Sequence, residues 1–299
     1  MEIDPFTLHF HSFVALTPSC PPASRGEEDI SPRLRGDHRG VHFWLLGFLA
    51  FGFLNSCVFA ESFKSEATTA WGVTKDMVRA PLHGSAENYW ITAGILSGIA
   101  LTTTLDRPVH SAALKAHGPT VKTLDDIGHY YQSPFVSFGT AAALYGYGAI
   151  ENNPATRRVG WEVVESYAIA GLGTQIVKHI VGRHRPYNND GPFKFAGPSL
   201  KNAYQSFPSG DVTVAFSFAS VLAAETHSVP TTILFYGLGA LTAFQRWHLN
   251  QHWFSDTVAG AAWGTAVGLG VVHYNRLRAM PVQIGTGARP ATITLVMNL

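Results

Sequence analysis

Two stretches of the chain, residues 89–105 and 134–150, contain no Asp, Glu, Lys or Arg. Each runs for about 17 residues, the lower edge of what crosses a bilayer as a helix. A third apolar segment, residues 160–180, is broken only by Glu162, Glu165 and Lys178. Gly, Ala, Ser and Thr recur through all three, which permits close helix packing. Charged residues make up 14% of the 299 residues, well below the ~25% of an ordinary soluble domain. Such a chain folds either as a membrane protein or as a helical protein with an unusually apolar core of small residues. If residue 61 lies outside the cytoplasm and all three segments cross, Lys178 faces the cytoplasm. That conflicts with an exported chain whose polar islands come later. A globular or peripheral domain avoids the conflict, and so does an arrangement in which one segment fails to span; a polytopic arrangement is the alternative.

The N-terminal region reads differently. Residues 1–40 are rich in Pro, Ser, His and charge and show no apolar periodicity. They read as disordered or as a vector-derived leader, which the opening Met1-Glu-Ile-Asp-Pro-Phe-Thr7 resembles. Residues 41–60 read as a signal peptide or an uncleaved anchor. Arg35 and Arg39 precede an apolar run from Phe43 to Leu54, and Val58-Phe-Ala60 offers small residues at a cleavage site before Glu61. The two cysteines are Cys20 and Cys57. Cleavage after Ala60 leaves none, which suits an oxidising compartment and rules out a disulfide framework or a Cys-based metal site in the main domain. An exported protein, periplasmic or membrane-associated, is the expectation.

Residues 61–280 are expected to form one helical domain, with no internal repeat. The apolar patterning predicts helices at Glu87–Leu105, Val109–His117, Pro134–Ile150, Ala155–Val181, Asp211–Thr226, Pro230–Arg246 and about Asn250–Arg278. A loop rich in Pro, Asn, Gly and Lys separates Arg183 from Ser206. Residues 281–299 form a tail whose alternation from Ala291 to Asn298 is strand-like. A net charge of +1, with no basic run interleaved with aromatics, gives no warrant for nucleic-acid binding.

Three polar islands interrupt the helices, each with a structural reading and a chemical one. Lys178 and Arg185-Pro186 supply cations from two directions. A guanidinium fork matches phosphate oxygens and an ammonium is a compact point charge, although a basic helix end also complements the helix dipole. Phe207-Pro-Ser209-Gly210-Asp211 precedes a helix, whose first amides bind anions; Ser209 or Asp211 would serve equally as an N-cap. Arg246 is followed by His252 and Asp256, spaced i,i+4. On a helix these share a face. An Asp that accepts from one imidazole nitrogen leaves the other free to attack, yet a satisfied structural histidine has the same spacing.

In this order and spacing the islands resemble the type 2 phosphatidic acid phosphatases, whose superfamily includes bacterial class A acid phosphatases and vanadium haloperoxidases. The family pattern is Lys-x6-Arg-Pro, then Pro-Ser-Gly-His, then Ser-Arg-x5-His-x3-Asp, and the resemblance covers roughly residues 87–278. It implies an all-α helical bundle and a phosphatase acting on phosphomonoesters, lipid phosphates first, with membrane contact. It implies that His252 is a nucleophile forming a phosphohistidine and that Asp256 orients it. Lys178, Arg185, Ser209, Gly210 and Arg246 would hold the phosphoryl oxygens, with neither metal nor cofactor. Two positions depart from the pattern. Gln245 stands where Ser is usual, and Asp211 stands where the family's His protonates the leaving alcohol. An ordinary Asp titrates near ~3.9 and is a poor acid at neutral pH, so Asp211 acts only if buried or in acid. Otherwise His184 or His248 is a local substitute. A vanadium-dependent haloperoxidase and a phosphate- or lipid-binding relative disabled by Asp211 are the competing functions.

Overall fold

A computed structural model describes residues 64–80 and 83–279. The leader, the signal-like segment and the strand-like tail lie outside the described residues. The described chain is all-α, with nine α-helices joined by short loops and 3-10 turns. They are α1 (residues 64–79), α2 (Ala86–Thr102), α3 (Asp106–Ala113), α4 (Pro119–Tyr131) and α5 (Pro134–Ile150). After these come α6 (Pro154–Val181), α7 (Gly210–Thr226), α8 (Val229–His248) and α9 (Phe254–Ala279). Among the described residues no helix is long and apolar enough to cross a membrane.

Local sequence explains the helix starts. Ser85 and Ser133 accept the Asn88 and Val136 amides, and Asn153 accepts those of Ala155 and Thr156. These side chains satisfy first-turn donors that have no intrahelical partner. Pro stands in the first turn of α4, α5, α6 and α8, where its missing N–H costs nothing. At the other end of α6, Gly182 adopts φ 62° and its amide bonds the Lys178 carbonyl. A Cβ there would lie 1.8 Å from the Gly197 carbonyl oxygen. Glycine therefore both ends the helix and admits the loop that follows.

α7 is the central helix. Val212 through Ala223 are buried on every side except at Phe216, as expected of a helix apolar all round. Its close partner is α9, through Gly260, Gly264 and Gly268. A Cβ on these would meet the carbonyl oxygens of Ser209, Thr213 and Ser217 at 2.6, 2.2 and 2.6 Å. The four-residue period of small residues thus lets two backbones touch. It fixes the N-terminus of α7, carrying the second island, against the N-terminus of α9, carrying the third.

Two expectations about elements need correction. α4 was not expected: Lys122, Asp125, Asp126 and Gly128 interrupt its apolar pattern. Its Gly128 nonetheless packs where a Cβ would lie 2.5 Å from the Leu241 oxygen of α8, and Thr242 Oγ1 donates to the Gly128 carbonyl at 3.0 Å. The last helix begins at Phe254, four residues later than expected. Asn250 turns the chain at φ 59°, and the Gln251 and His252 amides fold back onto the Arg246 carbonyl at 3.0 and 3.3 Å. His252 and Asp256 therefore do not share a helix. His252 lies in the loop and Asp256 in the first turn of α9.

Candidate active site

The islands converge where α6 ends and α7 and α9 begin. Lys178, in the last turn of α6, is buried, and its Nζ donates to the Gln205 carbonyl at 2.7 Å. Its Cε would lie 3.5 Å from a Cβ on Gly210, so the ammonium stem runs beside the start of α7. Burial, reinforced by Arg185, lowers the Lys178 pKa to about 8. Arg185 is held rigidly by loop groups. Its Nε and Nη2 donate to the Asn202 carbonyl and Oδ1 at 3.0 and 2.9 Å, and Nη1 donates to Gln251 Oε1 at 2.7 Å.

The start of α7 gathers hydrogen-bonding groups without acceptors. Gly210, Asp211 and Val212 occupy its first turn, where amides have no intrahelical acceptor. Ser209, its N-cap, makes no capping bond with its side chain, against that structural reading. Instead its amide donates to the Asp256 carbonyl at 3.0 Å. Ser209 Oγ and Thr174 Oγ1 are buried with no hydrogen-bond partner among the described residues. Thr174 precedes Lys178 by one turn, and its Cγ2 would lie 3.7 Å from a Cβ on Gly210. Two lone buried hydroxyls beside one glycine are costly, about 1–3 kcal/mol each, unless a ligand oxygen meets them. Thr174 carries no motif signal; only its place one turn before Lys178 could have found it.

His252 is 1% exposed. Its Nδ1 lies 2.7 Å from the Ser206 carbonyl. A carbonyl only accepts, so Nδ1 carries the proton and Nε2 keeps its lone pair. Burial is the main cause that lowers the His252 pKa to about 4, with Lys178 and Arg185 adding to it against the opposing pull of Asp256. The ring is therefore neutral at pH 7, with one nitrogen free to act as a nucleophile.

Asp256 is placed differently from the expectation. Its Oδ2 lies 3.7 Å from His252 Nδ1, too far for a hydrogen bond. It reaches the ring by charge and through Ser206, whose Oγ donates to Oδ2 at 2.5 Å. The Trp253 amide donates to the same oxygen at 2.9 Å, and Arg183 Nη1 donates to Oδ1 at 2.5 Å. Burial alone would raise the Asp256 pKa, but the neighbouring His252, Arg183 and Ser206 outweigh it and hold it below the usual carboxylate range.

The two departures from the family pattern meet on one side chain. Arg246 Nη1 donates to Asp211 Oδ2 at 2.7 Å, and Arg246 Nε donates to Gln245 Oε1 at 3.0 Å. With the Gln132 amide turned so that donors face acceptors, its nitrogen donates to Asp211 Oδ1 at 2.8 Å and its oxygen accepts from Arg246 Nη2 at 3.1 Å. Gln132 caps α4, the helix the apolar pattern did not reveal. The substitute proton donors are committed elsewhere. His248 bonds Asp125 Oδ2 at 2.5 Å and the Ala116 carbonyl at 3.0 Å, and His184 pairs with Asp190 and stacks on Tyr204. Among the described residues no group of His, Cys, Asp and Glu is arranged to hold a metal.

The model of the PAP2 superfamily matches residues 159–279. A lipid A 1-phosphatase of Rhizobium johnstonii is 29% identical over 108 residues, 36% of this chain and 43% of that protein. The chain thus spans less than half the length of that relative. Among solved structures, a transmembrane PAP2-type phosphatidylglycerolphosphate phosphatase from Bacillus subtilis aligns at 16% identity and a TM-score of 0.49, over 63% of this chain and 96% of its own. LpxE from Aquifex aeolicus aligns at 18% identity and a TM-score of 0.44, over 57% and 96%.

Proposed function

We propose that the chain, whose residues 159–279 match the model of the PAP2 superfamily, is a phosphatase of that superfamily hydrolysing phosphomonoesters, lipid phosphates first, through a phosphohistidine on His252. The observation that carries the reading is the Ser206 carbonyl on His252 Nδ1, which leaves Nε2 unprotonated beside buried cations. In the first step Nε2 attacks phosphorus, an N–P bond forms, and the bond to the leaving oxygen breaks. In the second, water attacks phosphorus, the N–P bond breaks, and phosphate leaves with the ring neutral again. Lys178, Arg185, Arg246, Ser209 and the Gly210 amide neutralise the phosphoryl oxygens, and their fixed positions stabilise the transition state. The leaving oxygen needs a proton, and a phosphomonoester monoanion brings one. A phosphoryl group that takes Arg246 sets that proton between a phosphoryl oxygen and Asp211, and it passes to the leaving oxygen as the P–O bond breaks. In the second step the attacking water gives its proton to Asp211, which returns it to the departing phosphate.

A lipid substrate is supported by exposed apolar side chains. Leu172, Ile176 and Ile180 lie exposed along one face of α6. Trp90 on α2 and Phe135 on α5 are 78% and 88% exposed. Exposed apolar side chains of this kind suit contact with a membrane. The signal-like residues 41–60 favour the extracytoplasmic side.

A second reading keeps the pocket and removes the turnover. The Asp211–Arg246 ion pair ties up a phosphate ligand, which favours an anion- or lipid-binding protein without catalysis. Detergent-solubilised protein incubated with phosphatidate, phosphatidylglycerol phosphate and a soluble aryl phosphate over a range of pH separates the two. Phosphate release, faster from the lipids and absent in His252→Ala, supports the phosphatase. Binding of phosphate with no release at any pH selects the second reading.

A further inference from the structure

Arg183 is fully buried between two carboxylates. Its Nη1 donates to Asp256 Oδ1 at 2.5 Å and its Nη2 to Asp106 Oδ2 at 2.6 Å. Asp106 opens α3, well before the segment that matches the superfamily, and is 0% exposed. It also grips the start of α9. Its Oδ1 accepts the Ser255 amide at 2.8 Å, and its Oδ2 accepts from Ser255 Oγ at 2.9 Å. Ser255 Oγ accepts in turn from Arg183 Nη1 at 2.8 Å. Arg183 is further fixed by donating Nε and Nη2 to the Pro192 carbonyl at 2.9 and 2.8 Å. The Arg183 carbonyl accepts the Ser206 amide at 3.0 Å, so the same residue locates the peptide whose carbonyl holds the His252 ring.

We propose, resting on the phosphatase reading, that Asp106 and Arg183 are positioning residues that hold Asp256 and Ser206 in register with the His252 nucleophile and leave the buried cluster one negative charge in excess. Within the hydrogen-bonded cluster behind the ring, Asp106, Arg183 and Asp256 sum to −1 with His252 neutral. Lys178 and Arg185 also act on the ring; on the phosphatase reading the phosphoryl oxygens offset these two. When Nε2 is bonded to phosphorus and Nδ1 keeps its proton, the ring carries +1 and the cluster behind it sums to zero. Burying an unbalanced charge is costly; here the imbalance is removed as the ring becomes cationic. Asp106 is therefore favourable chiefly in the transition state and the intermediate, the kind of interaction that raises kcat rather than lowering KM. A purely structural clamp would be as well served by one carboxylate, leaving Arg183 and Asp256 neutral as a pair.

The test is Asp106→Asn in the full chain, with kcat and KM on phosphatidate and competitive inhibition by inorganic phosphate, a ground-state ligand of the same pocket. The expected result is a fall in kcat of about 10- to 100-fold, the usual cost of losing a supporting partner of a reactive group. KM and the phosphate inhibition constant stay within about twofold. Unchanged kcat overturns the inference, and so does a loss of phosphate binding in step with kcat. If Asp106→Asn does not fold, Ser255→Ala decides. It removes the hydroxyl between Asp106 and Arg183 without stranding a charge, and is expected to lower kcat in the same way but less; unchanged kcat overturns the inference. Wild-type protein that releases no phosphate overturns the phosphatase reading, and this inference with it. Normal turnover in wild type and Asp106→Asn, abolished in His252→Ala, overturns this inference alone.

Discussion

Asp211 and Arg246 form an ion pair of 2.7 Å, with the Asp211 side chain 42% exposed and the Arg246 side chain 12%. The pair joins a residue of α7's first turn to one of α8's last turn. On the proposed reading a phosphate competes with Asp211 for the guanidinium, and a carboxylate stands where the resemblance implies a proton donor.

Replacing that carboxylate by the family's own residue restores both functions. Asp211→His is expected to free Arg246 and to supply an acid near neutral pH. General acids contribute about 10²- to 10⁴-fold, and the gain in kcat/KM at pH 7 is expected at the lower end, about 10-fold or more. The assay is phosphate release from phosphatidate. Activity unchanged or lower across the pH range counts against an impaired proton donor.

The pH dependence of kcat/KM reports groups of the free enzyme. His252 has its pKa lowered to about 4, chiefly by burial, so its lone pair is lost only below that pH. Lys178 has its pKa lowered to about 8, again chiefly by burial, so its charge is lost above it. Activity is expected to rise through about pH 4 and to fall through about pH 8. An acid limb near the ordinary histidine value of ~6.5 would contradict the buried, neutral ring.

Stability carries a different signature. Burial raises Glu162 to about 8 and Glu165 to about 7, from 4.5. The folded state thus keeps protons that the unfolded chain releases, so stability is present below about pH 4.5 and lost as pH rises towards 8. The neutral His252 works in the opposite direction, but only below its unfolded value of 6.5. Between pH 6.5 and 8 the melting temperature is expected to fall; above pH 8 Lys178, lowered to about 8, works in the opposite direction. Glu162→Gln, which removes one titration and keeps the volume, is expected to flatten that fall; equal slopes in both proteins would refute the assignment.

Residue type and spacing are local properties of the chain, and they singled out Lys178, Arg185, Ser209, Gly210, Arg246, His252 and Asp256 as candidates. Tertiary partners were not readable. Arg183 sits inside the first island and gives no signal that it bridges Asp106 and Asp256, 77 and 73 residues away. Gln132 was hidden with α4, whose charged residues mask a helix held by backbone contact at Gly128. The i,i+4 spacing of His252 and Asp256 was read as helical. Spacing alone cannot tell a helix from a loop that folds back on the Arg246 carbonyl, and so the ring's true partner, the Ser206 carbonyl, was missed.

On the proposed mechanism His252 Nε2 bonds to phosphorus. Wild-type protein mixed with ³²P-labelled phosphatidate and quenched in base within the first turnover tests this directly. A base-stable, acid-labile label is expected on the peptide that contains His252, absent in His252→Ala. Phosphate release at the wild-type rate by His252→Ala, or a label carried on any other residue, would contradict it.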